Sequence, residues 1–326
     1  MDAVKVVLIV LGIGAALFAV SQLATAFVLL RVTLMRAKEQ KGTGSGDRDI
    51  KTIRNEERDN TAAAFLARNP ETMEMQSFDG LNLKAYYWSA PKPTRRFILL
   101  AHGYHVDGCG EWGAFLPFYI DRLGCNVLMP DQRCHGRSEG KYTAFSGLEW
   151  RDFLDWAQLL VDRFGADIQI CLHGISMGAA TVMLCNGHNP PPQVKCVIED
   201  CGFSNGFEEL YTASANLYHY RFRPTVYALN LWAKCLIHTD LKKDADPLGF
   251  IPQAKAPMLF IHGITDDLIP AAMCEALYAA CGAEKEMLLL PDCEHDMAYY
   301  TDRPAYEAAV SKLLENHMPE MVSATI

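Results

Sequence analysis

The chain has no C-x-x-C pair, no P-loop or dinucleotide-binding signature and no internal repeat. The first absence removes zinc sites built on paired thiolates. The second removes the usual phosphate cradles, and the third removes solenoids and propellers. Positive charge is also in deficit: Lys and Arg number 30 against 39 Asp and Glu, a formal net charge of -9. A nucleic-acid surface needs clustered cations to displace counterions, so no nucleic-acid partner is expected. His102 and His105 stand three apart without a further ligand nearby in sequence, and neither a metal nor another cofactor is expected. Cysteine is plentiful but shows no framework. There are 11, an odd number, and Cys171 and Cys196 sit inside apolar runs as small hydrophobes. Such usage leans towards a reducing compartment. What remains, 50% hydrophobic and 21% charged over 326 residues, suits one large α/β domain with an insertion.

Charge is missing altogether from Val6 to Leu30, where only Ser21, Gln22 and Thr25 are appreciably polar. A helix of that length exceeds the roughly 30 Å hydrocarbon core of a bilayer. The rival reading is a cleavable signal peptide, because Ala24-Thr25-Ala26 resembles a cleavage site. Asp2 beside Lys5 weakens the positive n-region, and apolar residues run on to Leu30, so an uncleaved anchor over 1–36 is preferred. Lys5 precedes the span while Arg31, Arg36, Lys38 and Lys41 follow it. The positive-inside rule then puts the soluble part in the cytoplasm, with an extracytoplasmic or secreted domain as the alternative. Residues 37–69 read as a linker, a flexible or partly helical tether over 37–60, leading to a domain over 70–320.

Within that domain Met73–Met75 and Leu81–Trp88 read as antiparallel strands joined at Asp79-Gly80. Strands follow at Phe97–Ala101, Asn126–Met129, 168–172, 194–198, Met258–Ile261 and Met287–Leu290. Helices alternate with them over Trp112–Leu123, 148–164, the stretch after Ser176, 271–281 and 304–316. Apolar strands alternating with amphipathic helices predict an α/β fold with a mostly parallel central sheet covered on both faces. The stretch 203–250 breaks the alternation with apolar and aromatic residues at helical spacing, and is expected to form a helical cap. Most of its aromatics should pack the cap down; a minority should line a cavity.

The chemistry centres on Gly174-Ile175-Ser176-Met177-Gly178, placed between an apolar strand and a helix. Glycines flanking the serine permit a sharp turn that leaves its hydroxyl exposed. A serine needs a base, and the base needs an orienting acid. His295 follows the strand Met287–Leu290 on a loop at its carboxyl end, whereas His173 should point back into the domain. His102 and His262 read as turn-packing residues, and His219 and His238 lie in the cap. Asp266 in Ile261-His262-Gly263-Ile264-Thr265-Asp266-Asp267 is the preferred acid, with Asp267 its nearest rival and Asp200 a third candidate. The backbone N–H groups of Met177 and Tyr104 are the expected oxyanion donors.

Together AHGYHVDG, DQRCHGRSEGKY, HGISMGAA, FIHGITDDLIP and CEHDMAYY resemble the serine-hydrolase branch of the α/β-hydrolase superfamily. The likeness is greatest to bacterial hydrolases of the serine aminopeptidase (S33-like, "hydrolase 4") type with an amino-terminal membrane segment. It covers roughly residues 70–318 and implies the α/β-hydrolase fold with Ser176, Asp266 and His295 as nucleophile, acid and base. It also implies a structural turn at Asp131, where Cys134 stands in place of the commoner glycine. The expected activity is hydrolysis of an ester, thioester or amide through an acyl-enzyme, on a small-molecule or peptide substrate with an apolar part. The alternatives are a serine peptidase or acyltransferase using the same triad, and a non-catalytic binding protein with this fold. A panel of aryl esters, aminoacyl amides and acyl-CoA separates the enzymes; binding without turnover marks the third.

Overall fold

The computed structural model describes residues 2–36, 50–218 and 222–320. The strands are β1 (Glu71–Gln76), β2 (Asn82–Trp88), β3 (Arg96–Ala101), β4 (Asn126–Pro130), β5 (Gln169–Ile175), β6 (Val194–Asp200), β7 (Met258–Gly263) and β8 (Lys285–Leu290). They form one sheet of eight in the order β1-β2-β4-β3-β5-β6-β7-β8. β1 and β2 make an antiparallel hairpin, β2 runs antiparallel to β4, and every later pairing is parallel. Gly80 turns the hairpin with φ +87°, as the Asp79-Gly80 pair predicts. β3, β4, β5 and β7 are buried along their whole length, which is why they read as unbroken apolar runs.

Helices cover both faces. On one lie α4 (Glu149–Phe164), α5 (Met177–Gly187) and α9 (Ala271–Ala280), contributing Phe153, Trp156, Leu160, Val182, Met183 and Leu277 to a single core. On the other, α2 (Ile50–Leu66), α3 (Gly108–Trp112) and α11 (Arg303–His317) bring Phe65, Trp112, Tyr306, Val310 and Leu314 together. The short α10 (Ala298–Thr301) precedes α11. The expected cap is present as α6 (Gly206–Tyr218) and α7 (Arg223–Leu236), with α8 (Pro247–Phe250) leading back to β7. From the cap, Leu210, Val226 and Leu229 reach a cavity beneath it. His219 lies outside the described residues.

Two expectations need correction. Trp112–Leu123 is not one helix but the end of α3, a 3₁₀ turn at Gly113–Phe115 and a π turn at Pro117–Arg122. Pro117 has no N–H to give to Gly113, and glycines at 108, 110 and 113 weaken the α form further. The stretch 37–69 is not simply a linker either. Its second half is α2, which docks: Ala62 and Phe65 are buried, and a Cβ on Gly113 would lie 2.5 Å from the Arg58 carbonyl. Residues 37–49 lie outside the described part.

The amino-terminal helix α1 (Ala3–Thr33) is long and apolar enough to cross a membrane, a test that a signal sequence also passes. Residues 2–21 are exposed, with Phe18 meeting the cap at Phe222, whereas Ala26, Leu30 and Leu34 are buried against the cap. The last third of the helix is therefore part of the folded domain.

Candidate active site

Gly174 and Gly178 are dictated by close approach. A Cβ on Gly174 would fall 2.1 Å from the Gly178 carbonyl oxygen, and one on Gly178 would fall 1.9 Å from that of Ala101. Ser176 between them is held at φ 54° and ψ -117°, a conformation costly for any residue with a side chain. Its own N–H donates to the Asp200 carbonyl at 2.8 Å, which ties the strained turn to the end of β6. Met177 opens α5, so its N–H has no acceptor within the helix and lies at the positive end of the dipole.

The structure brings Ser176, His295 and Asp266 together. His295 Nε2 lies 2.9 Å from Ser176 Oγ, and His295 Nδ1 lies 2.7 Å from Asp266 Oδ2. Asp266 is buried and fixed, its Oδ1 accepting the N–H groups of Leu268 at 3.0 Å and Ile269 at 2.8 Å. That fits the Nδ1–H tautomer, which leaves Nε2 free to accept the serine proton. Burial lowers the affinity of His295 for a proton, but the Asp266 hydrogen bond and the Asp266, Asp296 and Asp200 charges outweigh it, and its pKa is raised above 6.5. Gly263 lets the loops meet, since a Cβ there would sit 2.1 Å from the Cys293 carbonyl.

The rival residues go elsewhere. Asp267 is exposed. Asp200 accepts from the Tyr306 hydroxyl at 2.9 Å, and burial pushes its carboxyl up to about 7. His173 is enclosed between the Tyr119 and Tyr306 hydroxyls, and burial drives its pKa down to about 3. His102 accepts the Gln132 N–H at 2.8 Å on Nε2, and His262 Nε2 donates to the Ile269 carbonyl at 2.8 Å, packing the loop that carries Asp266. Asp131 is structural: it accepts from the Gly108 and Arg137 N–H groups, and Gly136 admits it because a Cβ there would meet its carboxyl at 2.5 Å. Cys134 adopts φ 71°, so the turn keeps a left-handed residue without glycine.

A cavity of about 170 Å³ opens over Ser176. Tyr104, Phe145, Phe203, Leu210, Leu229 and Ile269 make its walls mainly apolar. Sequence reasoning missed three contributors to this region. Glu209 lines the cavity with a buried Oε2 that has no partner, and burial pushes its carboxyl well above 4.5, which disfavours its charged form. Arg54 of α2 pairs with Asp296, next to His295, at 2.7 Å. Leu29 and Thr33 of α1 form part of the wall, signalled only by the polar residues Gln22 and Thr33 spaced three turns apart in an apolar helix.

Among the described residues, two groups have ligand atoms close enough to share an ion. One is Cys201 with Asp266 and His295, where both ring nitrogens are already engaged. The other is Glu199, His262 and Cys274; burial pushes the Glu199 carboxyl up to about 8 and the Cys274 thiol far above its ordinary value. Protonated groups of this kind are poor cation ligands. One sequence reading needs amending: Gly108, Gly110 and Gly113 do have the G-x-G-x-x-G spacing of a dinucleotide loop, but α3 does not follow β3 directly, and Gly113 is pressed against α2.

The order of strands, the sharp serine turn after β5 and the acid and histidine on loops after β7 and β8 define one class of fold, and the chain belongs to the α/β hydrolase family, whose model matches residues 98–310. It is 31% identical over 245 residues to the Bacillus subtilis protein YqkD, covering 73% of this chain and 76% of that one. It is 22% identical over 258 residues to the Arabidopsis thaliana α/β-hydrolase-domain protein WAV2, covering 77% and 80%. In structure it is similar to an esterase of Pyrococcus furiosus, with TM-score 0.62 at 18% identity over 86% of this chain and 99% of that one. An acylaminoacyl peptidase of Pyrococcus horikoshii matches with TM-score 0.60 at 15% identity over 81% and 44%.

Proposed function

We propose that the protein is a serine hydrolase that cleaves an ester or thioester of an apolar acyl group through an acyl-enzyme. Ser176 attacks the carbonyl as His295 takes its proton, and Asp266 holds the imidazole and stabilises its charged form. The backbone N–H groups of Met177 and Tyr104 stabilise the oxyanion, each contributing about 3 kcal/mol to the transition state. Supporting Tyr104 over its neighbour, the Gly103 N–H is occupied by Glu111 Oε2 at 2.8 Å, while Gly103 lies against Ser176, to whose Cβ a Cβ would be 3.5 Å. Protonated His295 then returns its proton to the leaving group, and water repeats the sequence to release the acid.

The observation that carries this reading is the relay from Asp266 through His295 to Ser176, with contacts of 2.7 and 2.9 Å. The apolar cavity, in which burial also disfavours the charged form of Glu209, favours an acyl group over a charged peptide terminus. A small fluorophosphonate should label the wild type and spare Ser176→Ala; equal labelling of the two contradicts the assignment.

The same reading makes α1 an uncleaved anchor. Cleavage near Ala24-Thr25-Ala26 would cut through a docked segment in which Thr225 donates to Gln22 at 2.5 Å and Trp232 to the Leu23 carbonyl at 2.9 Å. The cationic flank after the span supports a cytoplasmic domain. With Cys235→Ser removing the exposed native thiol, a reporter made by Glu315→Cys should resist an impermeant maleimide until cells are permeabilised. Labelling in intact cells contradicts that orientation.

A further inference from the structure

The pocket over Ser176 is walled by three parts of the chain. The hydrolase core supplies Tyr104 and Ile269, the cap supplies Leu210, Thr225, Val226 and Leu229, and α1 supplies Leu29 and Thr33. A helix that served only as an anchor would have no reason to enter the site. Here it is fastened over several turns: Phe18 meets Phe222 edge-on at 6.0 Å, Phe27 meets Trp232 at 5.2 Å, and Leu34 is buried with no exposure. Beyond the helix, Met35 bridges to Tyr142, the Arg36 N–H donates to the Lys141 carbonyl at 3.0 Å, and the Thr143 N–H donates back to Leu34 at 2.8 Å.

The division along α1 sets the depth of the pocket relative to a bilayer. The exposed part, Ala3–Ser21, in which Phe18 meets the cap, is about 28 Å long at 1.5 Å per residue, close to a hydrocarbon core of roughly 30 Å. Side chains are first withdrawn from solvent at Gln22, and Leu29 follows two turns later, about 10 Å further along the axis. That places the acyl pocket at the headgroup boundary. The outer surface of the α1–α7 pair agrees. Phe27, Val28 and Val32 on α1 and Tyr227 and Leu231 on α7 are exposed, the last two by 50% and 51%. Exposed apolar side chains on both helices are costly in water and are accounted for where the pair dips into the membrane surface. Arg31, exposed near the end of α1, is placed to meet headgroup phosphates, whereas Arg223 is paired with Glu208 at 2.8 Å.

We propose that the substrate is an acyl ester of a membrane lipid, drawn from the bilayer along the seam between α1 and α7, with α1 as a fixed wall of the acyl pocket. This rests on the assignment of Ser176 as nucleophile. Hydrolysis then adds water across the ester: the acyl carbon leaves as the fatty acid, and the alcohol portion departs with the proton from His295. Leu29 and Thr33 limit how the chain lies.

The experiment uses the full-length protein in phosphatidylcholine vesicles, with a long-chain monoacylglycerol in the bilayer and 4-nitrophenyl butyrate in the water. Leu29→Trp fills the pocket from the α1 side, and Val28→Trp, on the exposed face, is its control. Leu29→Trp should lower the ratio of monoacylglycerol to butyrate turnover by about tenfold, the size expected for crowding a hydrophobic pocket, while Val28→Trp leaves the ratio unchanged. Leu29→Ala, which keeps the fold if the larger side chain does not, should move the preference to longer chains. The double change Tyr227→Asp and Leu231→Asp should lower turnover of the vesicle-borne ester relative to the aqueous one. An unchanged ratio in all of these, with Ser176 still labelled by fluorophosphonate, overturns the pocket and its bilayer route. Loss of labelling at Ser176 in the wild type overturns the hydrolase reading instead.

Discussion

The Tyr104 hydroxyl donates a hydrogen bond to the main-chain carbonyl of Thr33. One bond thus joins the loop that carries a proposed oxyanion donor to the last turn of the membrane-length helix. Tyr104 also stacks on His105 at 3.7 Å and meets Phe145 at 5.7 Å, so the loop is held from several sides. Tyr104→Phe keeps the backbone N–H and the ring but removes the tie. It is expected to lower kcat by about threefold to tenfold, the worth of one hydrogen bond, with little change in KM. Steady-state kinetics decides it; a rise in KM alone would mean that the tie serves binding and not the oxyanion loop.

The raised pKa of His295 has a definite sign in the rate profile. As base it acts only when neutral, so activity should fall as pH drops through a midpoint above 6.5. Asp266→Asn removes the largest contribution that raises this pKa. The midpoint should therefore move to lower pH, and kcat should fall by about 10³–10⁴ because the tautomer is no longer held. A pH profile of kcat/KM for both proteins tests the two effects together.

Glu209 gives a prediction on stability. Its pKa is raised well above 4.5, so the unfolded chain releases that proton at lower pH than the folded one. The contribution of this group to stability must decline as pH rises above 4.5. Glu209→Leu removes the unpartnered Oε2 and should raise stability by about 1–3 kcal/mol at neutral pH. Urea midpoints from about pH 5 to about pH 8 should show a flatter dependence in the variant. A destabilised variant would point to a bonded carboxyl.

Gly178→Ala tests the elbow itself. The added Cβ would lie 1.9 Å from the Ala101 carbonyl, backbone against backbone, with no flexible side chain to move aside. A loss of several kcal/mol, about 3 or more, is expected from forced overpacking, read as failure to fold or a large drop in Tm. A Tm near that of the wild type would contradict the close approach of α5 and β3.

Much of this molecule was legible along the chain because its signals are local. Buried parallel strands show as continuous apolar runs, and the glycines of the serine turn announce a bend that no other residue can make. Ser176, His295 and Asp266 could be named because each ends a strand on the same edge of the sheet. What escaped depends on contacts distant in sequence. The charged residues of α2 read as a tether, since what makes it part of the domain is distant in sequence: the buried Ala62 and Phe65 and the Arg54–Asp296 and Arg303–Glu57 pairs at 2.7 and 2.8 Å. Trp112–Leu123 has helical spacing, but Pro117 breaks its ladder. For α1, apolar composition reads as a helix long enough to cross a membrane and hides the face that meets the cap, because lipid and protein neighbours select the same side chains.

The central claim is covalent. Full-length protein mixed with 4-nitrophenyl butyrate and quenched in acid within the first turnovers should yield a butyryl group on the peptide containing Ser176, absent in Ser176→Ala. Turnover at an undiminished rate in Ser176→Ala, or a butyryl group found only on another residue, contradicts it.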